Sequence, residues 1–195
     1  QCETQSESSG PIHVSILARG PWRKICSALA DDDAIEALFA RGVTDGLPVV
    51  PPTRARVQAA VQASGRDGRE LIGQVAPQLG RATVEKIAIN AVMAGCRPEY
   101  MPVVVAAVEA ICDPAFALVG VSGTTDAVAP LVIVTGPIRT TLDVNCGAGV
   151  FGPGWRANAT IGRAVRLVWL NVGGARPGEI SMSTFAQPGR YTYCI

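Results

Sequence analysis

Residues with the capacity for chemistry gather between positions 145 and 163. Cys146 opens a glycine-rich stretch with Gly147, Gly149, Gly152 and Gly154, and the run behind it carries Arg156, Asn158, Thr160 and Arg163. Glycine lets a backbone approach a ligand closely, and a helix start offers unpaired N–H groups together with the positive end of the helix dipole. Gly147, Gly149, Arg156, Asn158, Thr160 and Arg163 are therefore the expected contacts for a carboxylate or phosphate. Arg166 is turned away from Arg163 by helical spacing and is expected to matter less. A plainer alternative stands beside this one: Asn158 caps the helix, the arginines are solvated and the glycines make a tight connection. The spacing of Gly147, Gly149 and Gly152 also matches the dinucleotide fingerprint. However, Pro153 and Gly154 interrupt it, and it comes late in the chain instead of after a first strand.

Two cysteines are candidates for thiol chemistry. Cys146 stands upstream of a helix start and near Arg156, a setting that lowers a thiol pKa. Cys96 stands at the C-terminal end of a predicted helix, where the dipole raises the pKa and the adjacent Arg97 opposes it. The single histidine, His13, is far from both in sequence. General-base work thus falls to a carboxylate, a lysine or a thiolate, and Glu85 and Lys86 are the candidates in an otherwise apolar run. Thr124 and Thr125, followed by Asp126, form a polar loop that either touches substrate or makes a turn of its own.

The elements that must hold these residues follow from periodicity and punctuation. Residues 1–30 lack a pattern and are expected to form an N-terminal arm, with one mixed domain over 31–195. The acidic run Asp31, Asp32, Asp33 predicts a helix that Gly42 ends, and Thr53 caps a second, up to residue 63. Thr83 caps the clearest helix, with Val84, Ile87, Ala88, Ala91 and Val92 on its core face, Lys86, Asn90 and Met93 opposite, and Gly95 as terminator. A helix over 103–112 is apolar nearly all round and is expected to be buried on most sides. Residues 117–121 and 130–135 are short β-branched runs, read as strands, with a last strand at 191–194. A long helix over 157–171 ends at Gly173 and Gly174. The fold class is α/β or α+β, in which a helical hairpin and a long C-terminal helix pack a small mixed sheet.

Composition narrows the function. With 48% hydrophobic and 17% charged residues, the chain has material for a large core and a surface better covered by another subunit. Its net charge of +1, with basic residues spread evenly, leaves no footprint for nucleic acid. No apolar run reaches the roughly 20 residues a membrane helix needs, and no signal pattern opens the chain, so a cytoplasmic, oligomeric protein is expected. Six cysteines without a Cys-x-x-Cys pair, and one histidine, point to reduced thiols and to no metal site. No cofactor is assigned.

Three stretches carry a resemblance: DGLPVVPPT from Asp45 to Thr53, VEKIAINAVMAGCRPEYMPVV from Val84 to Val104, and GPGWRANATIGRAVRLVWLNVGGARPG from Gly152 to Gly178. They resemble a largely uncharacterised bacterial family found beside, or fused to, a subunit with a Cys- or selenocysteine-Gly-Ser-Cys motif (UGSC-type). The resemblance implies one subunit of a two-part enzyme that performs thiol- or selenol-linked redox chemistry on a small molecule. The motif itself is absent from this chain. Three functions are thus open: an enzyme subunit binding a small anionic substrate at 147–163 with Cys146 or Cys96 taking part; a non-catalytic scaffold completing a partner's site; or a thiol-independent hydrolase or lyase using Lys86, Glu85 and Asn90.

Overall fold

Helix-forming segments punctuated by glycine dominate residues 31–195, the part of the chain that the computed structural model describes. The expected arm at 1–30, with His13, lies outside the described residues. Helix α1 (Asp31–Ala40) ends at Gly42, whose φ of 65° is the left-handed conformation glycine tolerates best. Helix α2 (Arg54–Ala63) starts where the Thr53 hydroxyl accepts the Arg56 N–H. An antiparallel hairpin follows, β1 (Leu71–Val75) and β2 (Gly80–Thr83), paired from Leu71 with Thr83 to Val75 with Gly80. Thr83 then caps α3 (Val84–Ala94), which Gly95 closes at φ 91°. A 3₁₀ turn at Pro98–Tyr100 leads into α4 (Met101–Cys112). The short helices α5 (Leu118–Gly123) and α6 (Pro137–Thr141) precede the long α7 (Arg156–Asn171). Among the described residues this is an α+β domain, and no single helix in it is long and apolar enough to cross a membrane.

The core lies where α3 crosses α7. Ile87, Ala88 and Ala91 meet Ile161, Ala164 and Val168, all fully buried, and α4 adds Met101, Val104 and Val108. Polar groups brace α7 against α3 and α5. The Asn171 amide donates to Asn90 Oδ1 at 2.8 Å and to the Val43 carbonyl at 2.9 Å. Trp169 Nε1 donates to Ser122 Oγ at 2.9 Å. These bonds fix one register of packing, although Asn171 Oδ1 is itself buried without a hydrogen-bond partner among the described residues.

Four expectations need correction. Residues 118–123 are helical: the Ser122 hydroxyl bonds back to the Leu118 carbonyl at 2.6 Å and accepts from distant Trp169, and together these bonds outweigh β-branched propensity. Residues 130–135 are extended but form no sheet of their own. Val132 makes one parallel bridge to Cys194, with three backbone hydrogen bonds (Val132 N–H to Tyr193, Ile195 N–H to Val132 and Val134 N–H to Ile195), so the C-terminal segment expected to join the sheet pairs instead with this extended run outside the β1–β2 sheet. The sheet is antiparallel, not mixed, and stands at β1–β2, where Gly73 and Gly80 hide the strand signal: a Cβ at Gly80 would strike the Val172 carbonyl. Lastly, the burial of two helices is exchanged. Asn90 and Met93 of α3 are buried, whereas Pro102, Ala106 and Ala110 of α4 face outward.

Candidate functional site

Two stretches some sixty residues apart meet at one cleft. Gly95 ends α3 in the left-handed conformation, which turns its carbonyl toward the start of α7; there Arg156 donates to it from Nε at 3.0 Å and from Nη2 at 2.9 Å. One residue on, the Cys96 thiol donates to the Thr160 carbonyl at 3.2 Å. Trp155, in extended conformation, starts α7 without a side-chain cap, leaving first-turn N–H groups for another partner.

The cleft has a volume of about 220 Å³. Val50, Ala60 and Met101 give it an apolar floor, and Arg56, Cys96, Arg97 and Arg156 line its polar side, with no carboxylate among the lining residues. Arg56 is placed by the first turn of α2 and steadied by its own bond from Nη1 to the Pro51 carbonyl at 3.0 Å. Val50 is fixed by its N–H bond to the Met93 carbonyl at 3.0 Å, so the DGLPVVPPT stretch forms one wall. An anion with a short apolar body matches these surfaces.

Cys96 enters this cleft as a protonated thiol. Burial pushes it up to about 12, and the Thr160 side chain, with Arg156 and Arg163 nearby, pulls only partly the other way. Helix position predicts the right direction, but loss of solvent is the larger cause. Lys86 does not share the cleft. It sits at the opposite end of α3, its ammonium donates to the Arg81 carbonyl at 2.9 Å, and partial burial followed by Arg81 lowers its pKa. Glu85 lies beside it, with its backbone N–H on the Gly68 carbonyl.

Most other residues of the glycine-rich segment hold structure. Asn158 is buried and engaged on both amide atoms: it accepts from Asn145 N–H at 2.8 Å and donates to the carbonyls of Asn145 and Cys194, each at 2.9 Å. It ties the glycine loop and the C-terminus to α7. Thr160 Oγ1 returns to the Arg156 carbonyl at 2.8 Å. Arg163 forms a two-pronged pair with Asp45, 2.8 Å at both contacts, and also donates to the Leu47 and Pro48 carbonyls. The guanidinium expected to meet a ligand is thus occupied in holding the cleft wall. Gly149, at φ 71°, needs glycine for its turn, and Gly147 donates to Asn145 Oδ1 at 2.9 Å. Cys146 is exposed on this loop and does not line the cleft. Thr124 closes its own turn by accepting from Asp126 N–H at 3.1 Å, and the Thr125 carbonyl receives Thr184 N–H.

The structure therefore joins Arg156 with Cys96 and sets Cys146, Lys86, Glu85, Thr124 and Thr125 elsewhere. Arg56 and Arg97 were not among the expected contacts; Arg97 stood beside Cys96 in sequence, but nothing in local sequence brings Arg56 there. No family model, curated protein or solved structure matches this chain.

Proposed function

We propose that this chain is the anion-binding subunit of a two-part enzyme, holding a small carboxylate or phosphate compound in the cleft between Gly95–Pro98 and the start of α7. The observation that carries the reading is the set of three guanidinium groups, from Arg56, Arg97 and Arg156, around an apolar floor with no acid to neutralise them. Charge-assisted contacts of this kind orient a substrate before any bond changes.

The chemistry itself is assigned to a partner. A thiol held near 12 is a weak nucleophile at neutral pH, and no histidine, lysine or carboxylate lines the cleft to take its proton. Cys96 acts as a hydrogen-bonding wall, and a subunit with a Cys- or selenocysteine-Gly-Ser-Cys motif, the class implied by the sequence resemblance, supplies redox chemistry. The hydrolase or lyase reading through Lys86 and Glu85 is disfavoured by their place at the far end of α3.

Titration calorimetry with short-chain monocarboxylates, dicarboxylates and inorganic phosphate tests the cleft. Arg97→Ala, exposed and without a bracing role, is expected to weaken the best of these roughly ten- to a hundredfold, the loss of one charge-assisted contact. Arg156→Ala falls at least as far because it also releases Gly95. Equal affinities for wild type and Arg97→Ala overturn the proposal.

A further inference from the structure

A second cavity, of about 390 Å³, lies where residues 175–191 fold back over α7 and meet Thr44 and Asp45. Three guanidinium groups line it: Arg166 from α7, Arg176 just beyond the helix, and Arg190 from the turn Pro188–Arg190. Each makes one bond to the protein. Arg166 Nη2 donates to the Ala175 carbonyl at 3.3 Å, Arg176 Nη1 to the Gly42 carbonyl at 3.0 Å and Arg190 Nη2 to Ser181 Oγ at 2.8 Å.

Two of their other nitrogens lack a partner: Arg166 Nη1 and Arg176 Nε are buried without a hydrogen bond among the described residues. The acids within reach do not answer them: Asp45 is held by Arg163 at 2.8 Å, and Glu179 is exposed and forms no ion pair among the described residues. Arg166 and Arg190 also crowd one ring, their guanidinium carbons 4.8 and 5.7 Å from the Trp169 centroid. Burial first, then Arg190, lowers Arg166 to about 10, with Asp45 offsetting part of it. Buried donors without acceptors and unneutralised like charges both cost stability. Asp45 and Glu179 also line the cavity, yet neither forms an ion pair with these three arginines among the described residues, which leaves the guanidinium groups to a ligand.

We propose that this cavity binds the phosphoryl group of a small phosphorylated metabolite, its oxygens received by Arg166, Arg176 and Arg190 and its organic part by Ser183, Gln187 and Tyr191. Three forks need more oxygen acceptors than one carboxylate presents, and a tetrahedral oxyanion offers them in three directions. The cavity is larger than inorganic phosphate fills, and its polar lining suits a hydroxylated body. Sharing no residue with the Cys96 cleft, this site stands or falls independently of the function proposed above.

The test titrates the full chain, in buffer free of phosphate and sulfate, with glycerol phosphate, inorganic phosphate and succinate. Glycerol phosphate is expected to bind saturably and most tightly. Arg190→Gln is expected to weaken it tenfold or more, while the thermal midpoint without ligand holds or rises because a repelling charge is gone. Arg166→Lys keeps the charge, loses the fork and weakens binding as well. Arg81→Ala, which lines neither cavity, leaves affinity unchanged. Succinate binding tighter than glycerol phosphate overturns the phosphoryl assignment. Unchanged affinity in Arg190→Gln, or no saturable binding by the wild type together with a lowered midpoint in that variant, makes the arginines framework and overturns the site.

Discussion

Among the cysteines, burial separates the thiols more sharply than their neighbours in sequence do. Cys146 lies exposed on a loop, whereas Cys96 and Cys194 are both pushed to about 12 by burial. Iodoacetamide at pH 8 is therefore expected to label Cys146 well before Cys96, read by peptide mass mapping; Cys96 labelled first would contradict the buried, protonated thiol. The same burial links pH to stability. Below pH 9 the thiol holds its proton in both the folded and the unfolded chain, and stability does not respond to it. Between 9 and about 12 the unfolded thiol releases a proton that folded Cys96 keeps, so stability falls as pH rises through that window. Urea midpoints measured from pH 8 to 11 are expected to decline, and less steeply in Cys96→Ala.

Elements meet through a few polar clamps, of which Arg163 with Asp45 is the strongest. Side-chain exposure is 15% for the arginine and 5% for the acid, and the fork also takes two carbonyls of the wall segment. Asp45→Asn keeps the shape and leaves a mostly buried cation without its charge partner, which is expected to cost about 3 kcal/mol in chemical denaturation. A loss below about 1 kcal/mol would mean that the carbonyls alone hold Arg163. Close backbone approach acts at the same scale. A Cβ at Gly162 would strike the backbone nitrogen of Tyr193, so α7 needs glycine there to seat the C-terminal segment that Asn158 also holds through Cys194.

For the molecule as a whole, the outward face of α4 and the extended residues 130–135 enclose an apolar groove of about 460 Å³. Leu131, Ile133 and Ile138 stand exposed along it, Ile133 at 62%. This groove supports the proposal that the chain works as a subunit, since exposed apolar patches of that kind mark contact surfaces. Sedimentation at micromolar concentration is expected to show a species larger than the single chain, and Ile133→Asp to shift it toward the monomer. A wild-type monomer throughout the range would remove self-association.

Punctuation and helical period were legible from the chain by itself. Thr53, Thr83, Gly42 and Gly95 cap or end the helices they were expected to, because a cap acts within four residues and needs no distant partner. For the same local reason, Arg156 was recognisable at the start of α7. Tertiary structure decided the rest. Whether 118–123 became strand or helix depended on Trp169, nearly fifty residues away, and the hairpin at 71–83 was masked by glycines that only the approach of Cys112 to Gly73 and of Val172 to Gly80 explains. The same holds for the arginines. Local sequence shows a guanidinium but not its distant partner, so Arg163, chosen for a ligand, is neutralised by Asp45, while Arg166, set aside, lines a cavity with a buried nitrogen unpaired.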